Sequence, residues 1–362
     1  DLRDGNLAND RIVHVPKILY HADAPSYERL AGMRLTGQVK ERVPKALVSV
    51  IIPSKDHPEI LFRCIDSLIE LTETKNEFDY EIIVVDNGSN DSNKKTVGEL
   101  LKNYKAAYIY EKRDFNFSYM CNLGAQSAKG DYLLFLNDDM EIFEPDWMQK
   151  LFDKASLPYA GAVGAKLIYP DSDIIQHAEI TILRIGPAHK LQFLSDGTDH
   201  YFGRNRYVHD MMGVTGACLM IKRSVFNEAG GFDEKLKVAF NDVDLCYSVF
   251  EKGYYNIVRC DVKLFHHESL SRGNDSDSDE KMYRMNSEKD YLYEKHQWLY
   301  GRDPFYNINL TNDMWEYEYA PKYHYEVHLE RDWARVCDIT DVIKSARQEI
   351  SETRNIQVVK CK

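Results

Sequence analysis

Three apolar runs, each closed by a polar cluster, limit what this chain can fold into. Leu47-Val48-Ser49-Val50-Ile51-Ile52 runs into Pro53 and then Ser54-Lys55-Asp56; Ile82-Ile83-Val84-Val85 ends in Asp86-Asn87-Gly88; Tyr132-Leu133-Leu134-Phe135-Leu136 ends in Asn137-Asp138-Asp139. Continuous runs of this kind read as strands buried on both faces, not as half-exposed alternating ones. A further short strand is expected around 107–110. Helices are expected at about 59–71, with Ile60, Leu61, Cys64, Ile65 and Leu68 at helical spacing, and at about 118–128, stopping at Gly130. Strands alternating with helices form a mainly parallel sheet covered on both faces, and ligands bind beyond the carboxyl ends of its strands. All three polar clusters fall there, so we read them as one site.

The second half is less regular. Strands are expected at 162–169 and 218–222 and a helix at about 242–252, while residues 171–212 give no firm reading. The acidic stretch 274–280 reads as a loop. It resembles the opening of an EF-hand, but Glu280 stands where the sixth position needs Gly and Asn286 where the twelfth needs Glu, so calcium is not expected. A last helix is expected near 339–350. The 362 residues suit one large domain at 46–311, with an N-terminal extension at 1–45 and a helix-bearing C-terminal extension at 312–362.

A net charge of -12 argues against nucleic acid as the partner, because phosphate backbones select basic surfaces, yet it is compatible with phosphates bound through a cation. Seven scattered cysteines without a CxxC pair make neither a disulfide framework nor a zinc site and fit a reducing compartment. No uncharged apolar run approaches the roughly 20 residues that cross a bilayer. The expected location is cytoplasmic, with attachment to the inner face of the membrane left open. The chain starts at Asp1, which suggests a piece of something longer.

Carboxylates just past a buried strand are costly unless a cation or solvent meets them. Asn137-Asp138-Asp139 therefore suits a hard cation, Mg²⁺ or Mn²⁺, shared with phosphate oxygens, although alone it could equally cap a helix. Asp56 and Asp86 could accept hydrogen bonds from a base or ribose, or merely cap their loops. Asn241 is the obvious N-cap of its helix, which frees Asp242 to face the cleft as a general base. His266 and His267 are adjacent on an extended stretch and point to opposite faces, so at most one reaches a given metal. Arg272 offers a guanidinium suited to a diphosphate. Thr215-Gly216-Ala217 is a small-residue turn that lets a substrate approach the backbone.

Taken in order, these segments resemble glycosyltransferase family 2, of the GT-A fold. The pieces are Val48 to Pro53, Ile83 to Ser89, Phe115-Asn116-Phe117-Ser118, Gly130 to Asp139, Thr215 to Cys218, Gly230-Gly231-Phe232-Asp233-Glu234, Asn241 to Cys246 and His266 to Gly273. The likeness covers about 47–310 and is greatest to bacterial enzymes building rhamnose-rich and other surface polysaccharides. In those enzymes a segment like residues 12–20 ends a preceding transferase domain.

The resemblance implies an α/β fold with a Rossmann-like, mixed, mainly parallel sheet flanked by helices. It also implies metal-dependent, inverting transfer of a sugar from a UDP- or dTDP-linked donor. The acceptor would be a saccharide, a glycoprotein or a lipid-linked glycan. Further transferase domains in the same polypeptide and peripheral membrane attachment are left open.

Carried over residue by residue, Pro53, Ser54, Asp56, Asp86, Asn116, Asp138 and Arg272 would bind the nucleotide. Thr215, Gly216, Ala217 and Asn241 would contact donor or acceptor. Asp139 and His266, or else the neighbouring His267, would hold Mn²⁺ or Mg²⁺, and Asp242 would be the base. Two departures matter: Asn137 replaces the first acid of the triplet, and Asn241 stands where the base motif often has Glu. A sugar-phosphate nucleotidyltransferase would want a basic, Gly-rich loop after the first strand, which Pro53-Ser54-Lys55-Asp56-His57-Pro58 is not. The non-catalytic alternative is a degenerate transferase domain serving as a glycan-binding or scaffolding module.

Overall fold

The computed structural model describes residues 45–318 apart from 76, 268–277, 300–302, 308 and 314. The segment 12–20, Arg272 and the helix expected near 339–350 lie outside the described residues. The first half runs β1 (Ala46–Ser54), α1 (Pro58–Leu71), β2 (Phe78–Asp86), α2 (Asp91–Leu100), β3 (Ala107–Tyr110), α3 (Phe117–Ser127) and β4 (Tyr132–Leu136). The second half adds β5 (Met140–Ile142), α4 (Trp147–Ala155), β6 (Ala160–Ile168), β7 (Ile175–His177), β8 (Glu179–Leu183), β9 (Gly186–Lys190) and β10 (Val208–Met211). It continues through β11 (Cys218–Lys222), α5 (Arg223–Ala229), α6 (Asn241–Glu251), β12 (Tyr255–His266) and α7 (Asp279–Lys295).

Alternate residues of the early strands enter two separate cores. Val48, Val50 and Ile52 of β1, Ile82 and Val84 of β2 and Leu134 and Leu136 of β4 share one cluster with Leu61, Cys64, Ile65 and Leu68 of α1. Ile51, Ile83, Val85, Leu133 and Phe135 point the other way and pack with Met120, Cys121 and Ala125 of α3. This two-sided burial is why the runs are continuously apolar. The main sheet has the order β10-β12-β6-β11-β4-β1-β2-β3, with β5 added on β12 and β7 on β6; β8 and β9 form a separate hairpin. Every pairing among β1, β2, β3 and β4 is parallel, whereas β11 lies antiparallel to both β4 and β6.

Close backbone approach at the end of α3 fixes one glycine. Gly130 donates its N–H to Ser49 Oγ at 2.8 Å, and that hydroxyl donates in turn to Glu81 Oε1 at 2.7 Å. A Cβ on Gly130 would stand 2.5 Å from the Leu47 carbonyl oxygen and 2.8 Å from the Ser49 amide nitrogen. Both obstacles are strand backbone and cannot step aside. Gly130→Ala is therefore expected to cost about 1–3 kcal/mol in chemical denaturation, in the range of overpacked cores. A midpoint and slope equal to those of the parent chain would contradict this.

Two sequence expectations need correction. Asn241 is not the N-cap of α6: Phe240 takes that place with φ +59°, and Asn241 is the first helical residue. Residues 279 and 280 are not loop but the first turn of α7, capped by Ser278, whose side chain accepts the Lys281 N–H. Acids in a first turn meet the positive end of the helix dipole. The cysteines 64, 121, 218, 246 and 260 are buried and free, as small apolar side chains. Among the described residues no helix is long and apolar enough to cross a membrane.

Candidate active site

Sheet register brings distant segments together. β1 pairs parallel with β2 and β4, Ser54 opposite Asp86 and Ile51 opposite Phe135, so the three polar clusters emerge along one edge. β11 runs antiparallel to β4 with Cys218 opposite Leu136; the preceding Thr215-Gly216-Ala217 thus lies beside Asn137, whose N–H donates to the Ala217 carbonyl at 3.0 Å. β12 runs antiparallel to β5 with His266 opposite Met140, which sets His266 next to Asp139. β6 pairs with both β12 and β7, Leu167 lying opposite Leu264 and His177, and so carries Gln176 within reach of His266.

These segments wall a cleft of about 720 Å³. Pro53, Ser54, Asp56, Asp138, Asp139, Thr215, Gly216, Ala217, Asn241, Asp242 and His266 all line it. Asp86 and Asn116 do not.

Asp139 and His266 form its most telling pair. Asp139 Oδ1 stands 3.1 Å from His266 Nε2, and His266 Nδ1 lies 2.7 Å from Gln176 Oε1. The Gln176 contact orients the ring, and Nε2 faces both the Asp139 carboxylate and, at 3.4 Å, the Asn137 amide nitrogen. Asp139 Oδ1 and the nearby Asn137 Oδ1 are both buried without a hydrogen-bond partner among the described residues. Burial alone would raise the Asp139 pKa, but the contact with His266 outweighs it and holds the carboxyl below its ordinary value. Burial, followed by the charge of Asp139, pushes Asp138 up to about 7.

His267 turns elsewhere: its N–H donates to the Asp139 carbonyl at 2.9 Å and its Nε2 meets Glu141 Oε2 at 2.8 Å. Of the two histidines, His266 is the one beside the Asp139 carboxylate. Among the described residues no three His, Cys, Asp or Glu side chains form a metal cage. Asp139 and His266 instead place one carboxylate and one imidazole side by side, a donor pair of the kind that a hard cation completes with phosphate and water oxygens.

Asp242 is held in the second residue of α6. Its Oδ2 accepts the Gly216 N–H at 2.8 Å, its Oδ1 accepts the Val243 N–H at 2.8 Å, and its own N–H donates to Asn241 Oδ1 at 2.8 Å. The carboxylate is thus fixed from two sides while lining the cleft. A carboxylate oxygen keeps further acceptor capacity beyond one backbone N–H, so a substrate hydroxyl can still be met.

Other candidates do different work. Asp56 accepts Asn90 N–H at 2.8 Å and Asn90 Nδ2 at 2.9 Å, which ties the β1 loop to the start of α2; the Asn90 bond leads in lowering its pKa. Asp86 is only 1% exposed. Its carboxylate accepts from the Ser89 N–H at 2.7 Å and from the Tyr108 hydroxyl, so it braces the cleft wall from behind. Asn116 caps α3, accepting the Tyr119 N–H at 3.0 Å, and donates to the Glu234 carbonyl at 2.9 Å.

The cleft also holds residues that the sequence did not single out: Gln176, His177, His189, Gln192 and, from α7, Arg284. Arg284 had a usable signal, since the Ser278 cap and the acidic first turn mark a helix start. Gln176 had none, because only the β6–β7 pairing brings it to His266.

Residues 49–230, just over half of the chain, match the family model for glycosyl transferase family 2. The chain belongs to that family. Among similar family proteins, the uncharacterized protein y4gI of Sinorhizobium fredii is 38% identical over 270 residues, covering 73% of this chain and 29% of its own length. The O-antigen biosynthesis protein RfbC of Myxococcus xanthus is 33% identical over 270 residues, covering 73% of this chain and 20% of its own length. The chain thus spans less than a third of either relative. In structure, the chain resembles a mannosyltransferase, PcManGT from Pyrobaculum calidifontis, solved with GDP-Man and Mn²⁺. The TM-score is 0.50 at 13% identity, over 91% of this chain and 87% of that one. That likeness shows the fold, the GT-A type of α/β sheet flanked by helices.

Proposed function

We propose that this chain carries an inverting glycosyltransferase site, which moves a sugar from a nucleoside diphosphate to a saccharide hydroxyl in surface polysaccharide synthesis. The observation that carries the reading is the meeting of Asp139, His266 and Asp242 on one cleft. The transferase unit is residues 46–311, with 1–45 and 312–362 as extensions, working in the cytoplasm on a saccharide, glycoprotein or lipid-linked glycan. O-antigen biosynthesis in the name of the Myxococcus relative supports the polysaccharide assignment. The GDP-Man and Mn²⁺ of the Pyrobaculum complex support a nucleotide sugar and a divalent cation.

In this reading Asp139 and His266 would hold Mn²⁺ or Mg²⁺, and a cation there would supply positive charge against the departing diphosphate. Asp242 takes the proton of the acceptor hydroxyl as that oxygen bonds to the anomeric carbon and the bond to phosphate breaks on the opposite side, giving inversion. Pro53, Ser54, Asp56 and Asp138 line the nucleotide end, with Arg272 as a further phosphate contact.

The backbone of Gly216 serves this geometry. A Cβ there would lie 3.2 Å from Asp242 Cβ, a tight contact that shifts the carboxylate by a few tenths of an ångström. Gly216→Ala should lower kcat about tenfold with little change in melting temperature, since small misplacements of a reacting group are costly. An unchanged kcat would separate Asp242 from the chemistry.

A panel of UDP-, dTDP- and GDP-sugars, incubated with and without Mn²⁺ and assayed for released nucleoside diphosphate, tests the proposal as a whole. Slow, metal-dependent hydrolysis of at least one donor is expected. None across the panel would instead favour a glycan-binding or scaffolding module.

A further inference from the structure

Beside the Asp139–His266 pair, the cleft wall carries two histidines that the transfer reading leaves without a task. His177 ends β7 and His189 lies in β9; their rings meet edge to face, with centroids 4.8 Å apart. Nδ1 of one lies 2.6 Å from Nδ1 of the other. At that distance one proton is shared, one ring donating and the other accepting. His177 is 1% exposed, and its Nε2 is buried with no hydrogen-bond partner among the described residues. An unpaired buried polar atom is costly, and this one belongs to a side chain that lines the cleft.

The chemistry of the missing partner follows from the shared proton. Burial, then the nearby His189 and His266, push the pKa of His177 well below its ordinary value, so the ring is neutral. If His177 accepts at Nδ1, its Nε2 is a donor; if it donates at Nδ1, its Nε2 is an acceptor. A phosphate or carboxylate oxygen matches only the first arrangement and an ammonium only the second. A hydroxyl matches both. Gln176 and Gln192, which line the same cleft, are neutral amides and also suit hydroxyl groups.

We propose that His177, held in place by His189, recognises a sugar hydroxyl in the cleft, so that this wall reads the hydroxyl pattern of a substrate. The inference rests on the transferase reading and deepens it. His177 touches the sugar; His189 is a positioning residue that acts through the shared proton. The hydroxyl can belong to the transferred sugar or to the acceptor, which the test separates.

Imidazole nitrogens report directly on this contact. Long-range ¹H–¹⁵N NMR on the full chain with Mg²⁺ would follow His177 and His266, assigned from His177→Phe and His266→Phe. The titrants are UDP, UDP-glucose, UDP-N-acetylglucosamine, dTDP-rhamnose, GDP-mannose and methyl glycosides of the same sugars. Nucleotide alone should move His266 and leave His177 Nε2 in place. A nucleotide sugar that moves both assigns the hydroxyl to the donor; a methyl glycoside that moves His177 assigns it to the acceptor.

In turnover, His177→Phe should raise KM for that substrate about tenfold, the worth of one neutral hydrogen bond, and leave KM for the other unchanged. Sugar ligands that shift His266 but never His177 would overturn the proposal while the transferase reading stands. If no ligand moves either histidine, the cleft takes no nucleotide sugar and both fail.

Discussion

Asp242→Asn is expected to lower kcat for sugar transfer by roughly 100- to 10,000-fold, the usual span for losing a general base, while the donor Kd stays within a few-fold. The side chain keeps its shape, at the loss of one hydrogen bond from a backbone N–H. What changes is the proton acceptor. In the parent chain both carboxylate oxygens are turned by backbone donors, Gly216 N–H at 2.8 Å and Val243 N–H at 2.8 Å. An amide can satisfy one of these donors with its oxygen, and it then presents an NH₂ to the other and has no basic atom for the acceptor. Steady-state assays with saturating donor, paired with calorimetric binding of the same donor, separate the two effects. Turnover within a few-fold of the parent would remove Asp242 from the role of base.

The second large effect is expected at Asp139. Asp139→Ala should abolish stimulation by Mn²⁺ and reduce transfer by more than roughly a hundredfold, because losing even an outer-shell partner of a metal ligand costs 10- to 100-fold. Asn137 contributes no charge, and its Oδ1 already lacks a hydrogen-bond partner among the described residues. The substitution leaves His266 as the lone protein ligand of the pair, its Nδ1 still beside Gln176 Oε1 at 2.7 Å. Titration of Mn²⁺ in the presence of nucleotide, read by electron paramagnetic resonance, should show weakened binding in Asp139→Ala. Unaltered Mn²⁺ binding and activity would place the cation elsewhere.

The first half of the fold was legible in the sequence because hydrophobicity there maps onto burial. β1, β2 and β4 are apolar on both faces, α1 shows its spacing through Leu61, Cys64, Ile65 and Leu68, and the polar clusters mark the strand ends. The region 171–212 was not legible, for a physical reason. Its short strands bury polar groups by pairing them: Lys166 meets Asp196 at 2.5 Å, and Glu179 meets Arg204 at 3.0 Å and His209 at 2.7 Å, with Lys166, Glu179 and Lys190 all 0% exposed. A pattern of apolar letters cannot report burial achieved by ion pairs.

The site divides in the same way. Asp139, Asp242 and His266 stood out as letters and line the cleft, whereas Asp86 and Asn116 do not line it and hydrogen-bond within a loop and a helix cap. Gln176, His177 and His189 reach the cleft only through strand pairing. Asn241 looked like the cap of α6 because its residue type favours that position, yet Phe240, in a left-handed conformation, starts the helix instead.

The most direct test of the central claim is a crystal structure with Mn²⁺ and a nucleotide sugar, collected where manganese scatters anomalously. A single anomalous peak within bonding distance of both Asp139 and His266 Nε2, with the anomeric carbon on the side of Asp242, is the predicted result. A nucleotide bound in the cleft with the manganese peak away from that pair, or a sugar turned away from Asp242, would contradict it.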